Sequence, residues 1–128
     1  MTPTFLDLAQ VIAIHRDQIE RYGGRPGIRD LGLLEAAVAM PSATFDGDYL
    51  HRDLFEMAAA YLFHIVQDHP FVDGNKRTGT VAAVVFLALN GIEFDADEDA
   101  LVDAVMSVAS GRPGKAEVAE FFRTHSPG

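Results

Sequence analysis

The sequence predicts an all-α fold of about six helices around two buried ones, and three observations carry that reading. Two stretches, Asp53 to Gln67 and Asn75 to Asn90, are apolar on nearly every side, as a helix surrounded by protein must be. The segments around them repeat their apolar residues close to every 3.6 positions. No segment alternates polar and apolar residues for long, and no repeat of roughly 20 to 50 residues is present.

From Phe5 to Tyr22 the apolar positions Leu8, Val11, Ile12, Ile19 and Tyr22 keep a helical period, and Gly23-Gly24 ends it. Arg25-Pro26-Gly27-Ile28-Arg29 is a turn-rich connection. Asp30 is a good N-cap for a helix from Leu31 to about Met40, with Leu34, Ala37 and Val38 on one face and Pro41 closing it. Ser42 to Arg52 turns to Asp, Gly, Ser and Tyr, the composition of a surface segment able to lie over a site as a flap.

Asp53 to Gln67 carries Leu54, Phe55, Met57, Tyr61, Leu62, Phe63, Ile65 and Val66. Asn75 to Asn90 carries Val81, Val84, Val85, Phe86, Leu87 and Leu89, with Gly91 as its stop. Val, Thr and Phe in the second of these also suit a strand. Sixteen residues between Asn75 and Asn90 exceed the usual strand length and favour a helix. Asp97 to Ser110, acidic in its first turn, and Lys115 to His125 complete the set. Gly111-Arg112-Pro113-Gly114 leaves too little chain behind it for a second domain, so residues 1–128 are expected to form one.

With 128 residues, 48% of them hydrophobic, the chain can fold without disulfides or a structural metal. It has no cysteine, which excludes a thiolate zinc site and a Cys nucleophile. No basic segment precedes an apolar run at the start, so a cytoplasmic location is expected. The strongly apolar run Thr80 to Leu89 is about half of the ~20 residues a membrane span needs. Nineteen acidic residues against ten basic ones give a net charge of −9, which argues against direct DNA binding through a broad basic surface.

The positive charge is local. His69-Pro70-Phe71-Val72-Asp73-Gly74-Asn75-Lys76-Arg77-Thr78-Gly79 sets a base, a carboxylate and two cations just before a long apolar helix. Lys76 and Arg77 fall in the first turn, where the helix dipole disfavours cations by roughly 0.3 to 1 kcal/mol each. A bound anion offsets that conflict, and open N–H groups at a helix start are ready-made phosphate ligands. Asp73 and Asn75 are equally good as plain helix caps. Phe71 reads as a core anchor and His64 as a satisfied core histidine. His15, His51 and His125 show no metal-site spacing. The acids at Asp95, Asp97, Glu98 and Asp99 are explained by a helix start.

Placed between two buried helices, this loop resembles the Fic/Doc superfamily and, within it, the death-on-curing (Doc) toxins. The Fic pattern His-Pro-Phe-x-x-Gly-Asn-Gly-Arg is met at His69, Pro70, Phe71, Gly74, Asn75 and Arg77, with Lys76 in place of the second glycine. Arg21-Tyr22-Gly23-Gly24, Pro26-Gly27 and Asp30 also look like the amino-terminal half of Doc proteins.

The resemblance implies a toxin of a toxin-antitoxin system. It would use ATP and Mg²⁺ to move the γ-phosphate to a threonine of elongation factor Tu and arrest translation. It implies His69 as general base, Asp73 as the Mg²⁺ ligand, and Gly74, Asn75, Lys76 and Arg77 as the nucleotide- and phosphate-binding residues. In relatives that transfer AMP, the small glycine leaves space for inner phosphates and an arginine three positions beyond the motif helps to hold them. Here those positions are Lys76 and Thr80. Two alternatives stand beside the kinase: a Fic-type AMP transferase acting on a protein hydroxyl, and a largely non-catalytic module that binds a cognate antitoxin. In Fic-type folds the stretch from Ser42 to Tyr49 would be the flap that docks the target's backbone.

Overall fold

The computed structural model describes residues 2–93, 103, 105, 106 and 114–126. The helices lie where the apolar periodicity puts them: α1 (Leu8–Tyr22), α2 (Leu31–Ala39), α3 (Leu54–Asp68), α4 (Asn75–Leu89) and α5 (Lys115–His125). The helix expected from Asp97 to Ser110 and the acids at its start lie outside the described residues, apart from Asp103, Val105 and Met106, which are helical.

Helix α1 begins three residues later than the apolar pattern suggests, because Asp7 caps it. Asp7 Oδ1 accepts the Gln10 N–H (2.8 Å), and Gln10 Oε1 accepts the Asp7 N–H (2.8 Å). Ahead of the cap, Leu6 is held to the core by the Tyr61 hydroxyl, which accepts its N–H at 2.8 Å. Leu6 itself is buried.

The core is built on α3 and α4. Met57 to Leu62 and Ile65 of α3 meet Val81, Ala82, Ala83, Phe86 and Leu87 of α4, all buried. Gly79 lets the two helices close, since a Cβ there would stand 3.2 Å from the Leu62 carbonyl oxygen. Helix α1 covers α4 and helix α5 covers α3. This arrangement fixes both ends of the 69–74 loop on the two most buried elements of the molecule, so the loop starts and ends on rigid anchors.

Pro41 does not simply end α2. It sits in the middle of a short 3-10 turn, Met40–Ser42, that follows directly on the helix. The surface segment after it contains a small antiparallel hairpin, β1 (Thr44–Phe45) and β2 (Asp48–Tyr49). Asp46 and Gly47 turn it at positive φ, 53° and 87°. Asp-Gly is a strong hairpin signal. The strands are too short for alternation to reveal them. The hairpin rests on Phe5, whose ring lies 5.7 Å from that of Tyr49.

Helix α5 is joined to α3 by polar contacts. Arg123 Nη2 donates to Asp53 Oδ2 at 2.8 Å, while Asp53 Oδ1 caps α3 at the Glu56 N–H. Lys115 Nζ lies 3.1 Å from His51 Nε2 and 3.0 Å from His64 Nε2. His64 is thus half-buried and partnered, and burial, with Lys115 beside it, lowers it to about 4. Burial also lowers the buried His51, again with Lys115 adding to the effect.

Candidate functional site

Helix α3 ends at His69, which adopts the left-handed conformation (φ 50°, ψ 53°). A non-glycine residue there carries a cost on the order of 1 kcal/mol, so its surroundings must hold it. They do so from the 25–30 connection. Arg29 Nε donates to the His69 carbonyl (2.6 Å) and Nη2 to the Asp68 carbonyl (2.9 Å), placing a cation at the negative end of α3. The Arg29 and Asp30 N–H groups donate to Pro70 O, and the Val72 N–H donates to Gly27 O. Ile28 and Phe71 form an isolated antiparallel bridge. The stretch read as a turn-rich connection also braces the loop through this bridge.

Phe71 is the core anchor expected of it, 1% exposed. Its ring stacks on the buried His15 of α1, with centroids 3.8 Å apart and 4° between planes. His15 Nε2 then donates to the Asp73 carbonyl at 2.9 Å.

Neither Asp73 nor Asn75 caps α4. The N-cap is Gly74, at φ 75°, and no side chain bonds to the helix start. Asn75 instead turns back into the loop. Its Oδ1 accepts the Phe71 N–H (3.0 Å), and its Nδ2 donates to the Phe71 carbonyl (3.0 Å) and lies 3.1 Å from His69 Nδ1. The Asp73 carboxylate accepts from two backbone N–H groups, Arg25 (3.1 Å) and Gly74 (2.9 Å). The Arg25 bond first, and the Gly74 bond second, hold its carboxyl below the usual carboxylate range. Gly24 makes that approach possible, because a Cβ on it would stand 3.0 Å from Asp73 Oδ2. The Gly74 N–H is therefore already spent within the loop.

The first hydrogen bond of α4 runs from Thr78 N to Gly74 O (2.9 Å). With no side-chain cap, the N–H groups of Asn75, Lys76 and Arg77 lack an acceptor among the described residues. Lys76 is exposed beside them. The Arg77 guanidinium sits 4.2 Å above the Tyr22 ring centroid, which orients it without consuming its fork of donors. Thr80 is buried, and its hydroxyl donates to the Lys76 carbonyl (2.8 Å).

A cleft of about 570 Å³ between α1 and the loop brings together all six residues singled out in the sequence: His69, Asp73, Gly74, Asn75, Lys76 and Arg77. Gln18, Ile19, Tyr22, Gly23, Val72 and Met106 complete its wall. No residue of the 42–52 segment lines it among those described. Leu50, His51 and Arg52 line a second cleft with Glu56, Lys115 and Arg123. Among the described residues no three His, Asp or Glu side chains converge on a metal position. Asp73 alone suits an ion such as Mg²⁺, which takes one or two carboxylates and fills its shell with phosphate oxygens and water. Three open N–H groups, two cations and one ionised carboxylate form a donor set suited to a polyphosphate with its metal ion.

Arg29 and Gln18 were not singled out by the sequence, and His15 was weighed there only as a metal ligand. Their signal is weak but present on α1, where Val11, His15, Gln18 and Tyr22 share one face and two polar residues interrupt an otherwise apolar stripe. Arg29 lies in a connection with no periodicity to read.

The sequence pattern of the Fic/DOC family matches residues 5–87. A protein of Escherichia phage P1 named protein kinase doc is 38% identical over 115 residues, covering 89% of this chain and 89% of that protein. A protein of Mycolicibacterium smegmatis named toxin Doc is 47% identical over 78 residues, or 61% of this chain and 60% of that one.

Proposed function

Because the chain belongs to the Fic/DOC family, we propose that it is a Doc-type toxin of a toxin-antitoxin system, and that it phosphorylates a protein hydroxyl with ATP. The target is a threonine of elongation factor Tu, and the consequence is arrested translation in the cytoplasm. A cognate antitoxin is its second partner. The phage P1 relative that matches most of the chain is named a protein kinase, which supports the reaction class.

The observation that carries phosphate transfer over AMP transfer is the pair Lys76 and Thr80. Lys76 puts a charged side chain where AMP-transferring relatives keep a small glycine. Thr80, where they carry an arginine, is buried with its hydroxyl tied to the Lys76 carbonyl. No second guanidinium can reach the inner phosphates from that position.

In the proposed reaction the hydroxyl oxygen of the target forms a bond to the γ-phosphorus, the bond from that phosphorus to the β–γ bridging oxygen breaks, and ADP leaves. His69 takes the hydroxyl proton, a role typically worth about 10² to 10⁴ in rate. The N–H groups of Asn75, Lys76 and Arg77, with the Lys76 and Arg77 side chains, hold the phosphates and offset charge that shifts during transfer. Asp73 would hold Mg²⁺. When bound, that ion neutralises phosphate charge and orients its oxygens.

The test uses ATP labelled on either the α or the γ phosphate, with purified elongation factor Tu as acceptor. Label from the γ position on the factor is the expected result. Label from the α position would instead establish a nucleotidyl transferase. No label from either, with antitoxin peptide still bound tightly, would make the chain chiefly an antitoxin-binding module.

A further inference from the structure

We infer that Asn75 is a positioning residue that holds the His69 imidazole in the tautomer with its proton on Nε2, so that resting His69 faces the cleft as a hydrogen-bond donor. Phe71 fixes the orientation of the Asn75 amide. Its backbone N–H can only donate and its carbonyl can only accept, and Asn75 Oδ1 and Nδ2 lie 3.0 Å from each respectively. Turning the amide over would set oxygen against oxygen and N–H against N–H. Two buried backbone groups would then be left unpaired. The amide orientation is therefore fixed by the backbone alone.

That orientation decides what His69 meets. The atom 3.1 Å from His69 Nδ1 is the amide nitrogen, which carries two protons and no accepting lone pair. One proton goes to the Phe71 carbonyl, and the other points at the ring. Nδ1 must be the acceptor, so the proton of the neutral imidazole sits on Nε2. The ring has little freedom to escape. The His69 backbone is held in the left-handed region, with Arg29 bound to its carbonyl and to that of Asp68. Turning the ring about χ2 would present a C–H to Asn75 Nδ2 and lose the bond.

The inference rests on the phosphotransfer reading in one respect, the meaning of a donor at this place. The imidazole lines the cleft that also holds Lys76 and Arg77, and a donor at Nε2 suits a phosphate oxygen. To serve as base, Nε2 must first lose its proton while Nδ1 gains one. That exchange costs the Asn75 bond and lowers the population of the basic tautomer by roughly several-fold to tenfold.

Long-range ¹H–¹⁵N spectra of protein with ¹⁵N-labelled histidine and asparagine test this directly, at roughly two units above the ordinary histidine pKa. A His69→Gln sample assigns the His69 signals. We expect Nε2 protonated, Nδ1 bare, and a through-hydrogen-bond coupling between Asn75 Nδ2 and His69 Nδ1. In Asn75→Asp, a carboxylate that can only accept should draw the proton to Nδ1 and reverse the tautomer. A protonated Nδ1 in the unmodified protein, or an Asn75→Asp protein that keeps the proton on Nε2, overturns the inference. If Asn75→Asp does not fold, the coupling decides, and its absence counts against the assignment. These readouts do not depend on which phosphate is transferred.

Discussion

His15 Nε2 stands 2.9 Å from the carbonyl oxygen of Asp73, fifty-eight residues away, and its ring lies flat on Phe71. One side chain of α1 thus grips the loop twice, through the backbone beside the carboxylate and through the aromatic anchor. A carbonyl only accepts, so Nε2 carries the proton in this contact.

His15→Ala should therefore loosen the loop without removing any group that faces a ligand. Loss of the stacked ring and of the donor should lower stability by about 2 kcal/mol. Phosphate transfer should fall mainly in kcat, because misplacement of reacting groups is paid for in the transition state. His15→Gln, which keeps a donor, should recover part of the rate. Thermal unfolding and steady-state kinetics read both effects, and an unchanged kcat in His15→Ala would show that α1 does not position the loop.

Arg29 makes a comparable claim from the other side. Its guanidinium spans the Asp68 and His69 carbonyls at 2.9 and 2.6 Å, at the end of α3 where a cation is favoured. Arg29→Ala should cost about 1 to 2 kcal/mol and reduce transfer, since the left-handed His69 loses its clamp. Arg29→Lys should rescue little, because a point charge cannot reproduce the fork. Full recovery in the lysine variant would mean that charge alone matters there.

How far the sequence could be read follows from these residues. Helices α3 and α4 are legible because burial demands apolar residues on every side, and the six loop residues because they are adjacent in the chain. His15 and Arg29 act on the loop from 58 and 40 positions away. No local pattern encodes such a contact. The 44–49 hairpin escaped because two-residue strands are too short to alternate. Asn75 looked like a cap because Asn is favoured there, and only the folded loop shows its amide turned back to Phe71.

If Lys76 selects the phosphate that is transferred, Lys76→Gly should lower transfer from the γ position by at least tenfold, the loss of one charge-assisted contact. The double variant Lys76→Gly with Thr80→Arg should not gain AMP transfer. Thr80 is fully buried with its hydroxyl on the Lys76 carbonyl, so an arginine there must displace the packed side chains around it before it can reach a nucleotide. That protein should lose stability instead, by several kcal/mol, through burial of an unpaired charge. Label from α-labelled ATP on the target in the double variant would contradict this.

The histidines held by Lys115 make the stability of the fold depend on pH. His51 and His64 both receive a hydrogen bond from Lys115 Nζ, so both accept and both are neutral. Burial lowers each of them, His64 to about 4, with Lys115 adding in both cases and Glu56 opposing at His51. An imidazole whose pKa is lower in the fold than in the unfolded chain is protonated first in the unfolded chain. Between about 6.5 and about 4 the unfolded state therefore binds more protons, and stability falls as pH falls. Above about 6.5 all copies are neutral and this contribution is flat. Asp53, which the Glu56 N–H and Arg123 hold below its ordinary value despite desolvation, loses its contribution only at still lower pH. A loss of about 1 to 2 kcal/mol, discounted because His51 lines the cleft and His64 is only half-buried, is expected on going from neutral pH to the bottom of that window. His64→Gln should remove most of the slope, and an equally steep dependence of the unfolding midpoint in that variant would place its origin elsewhere.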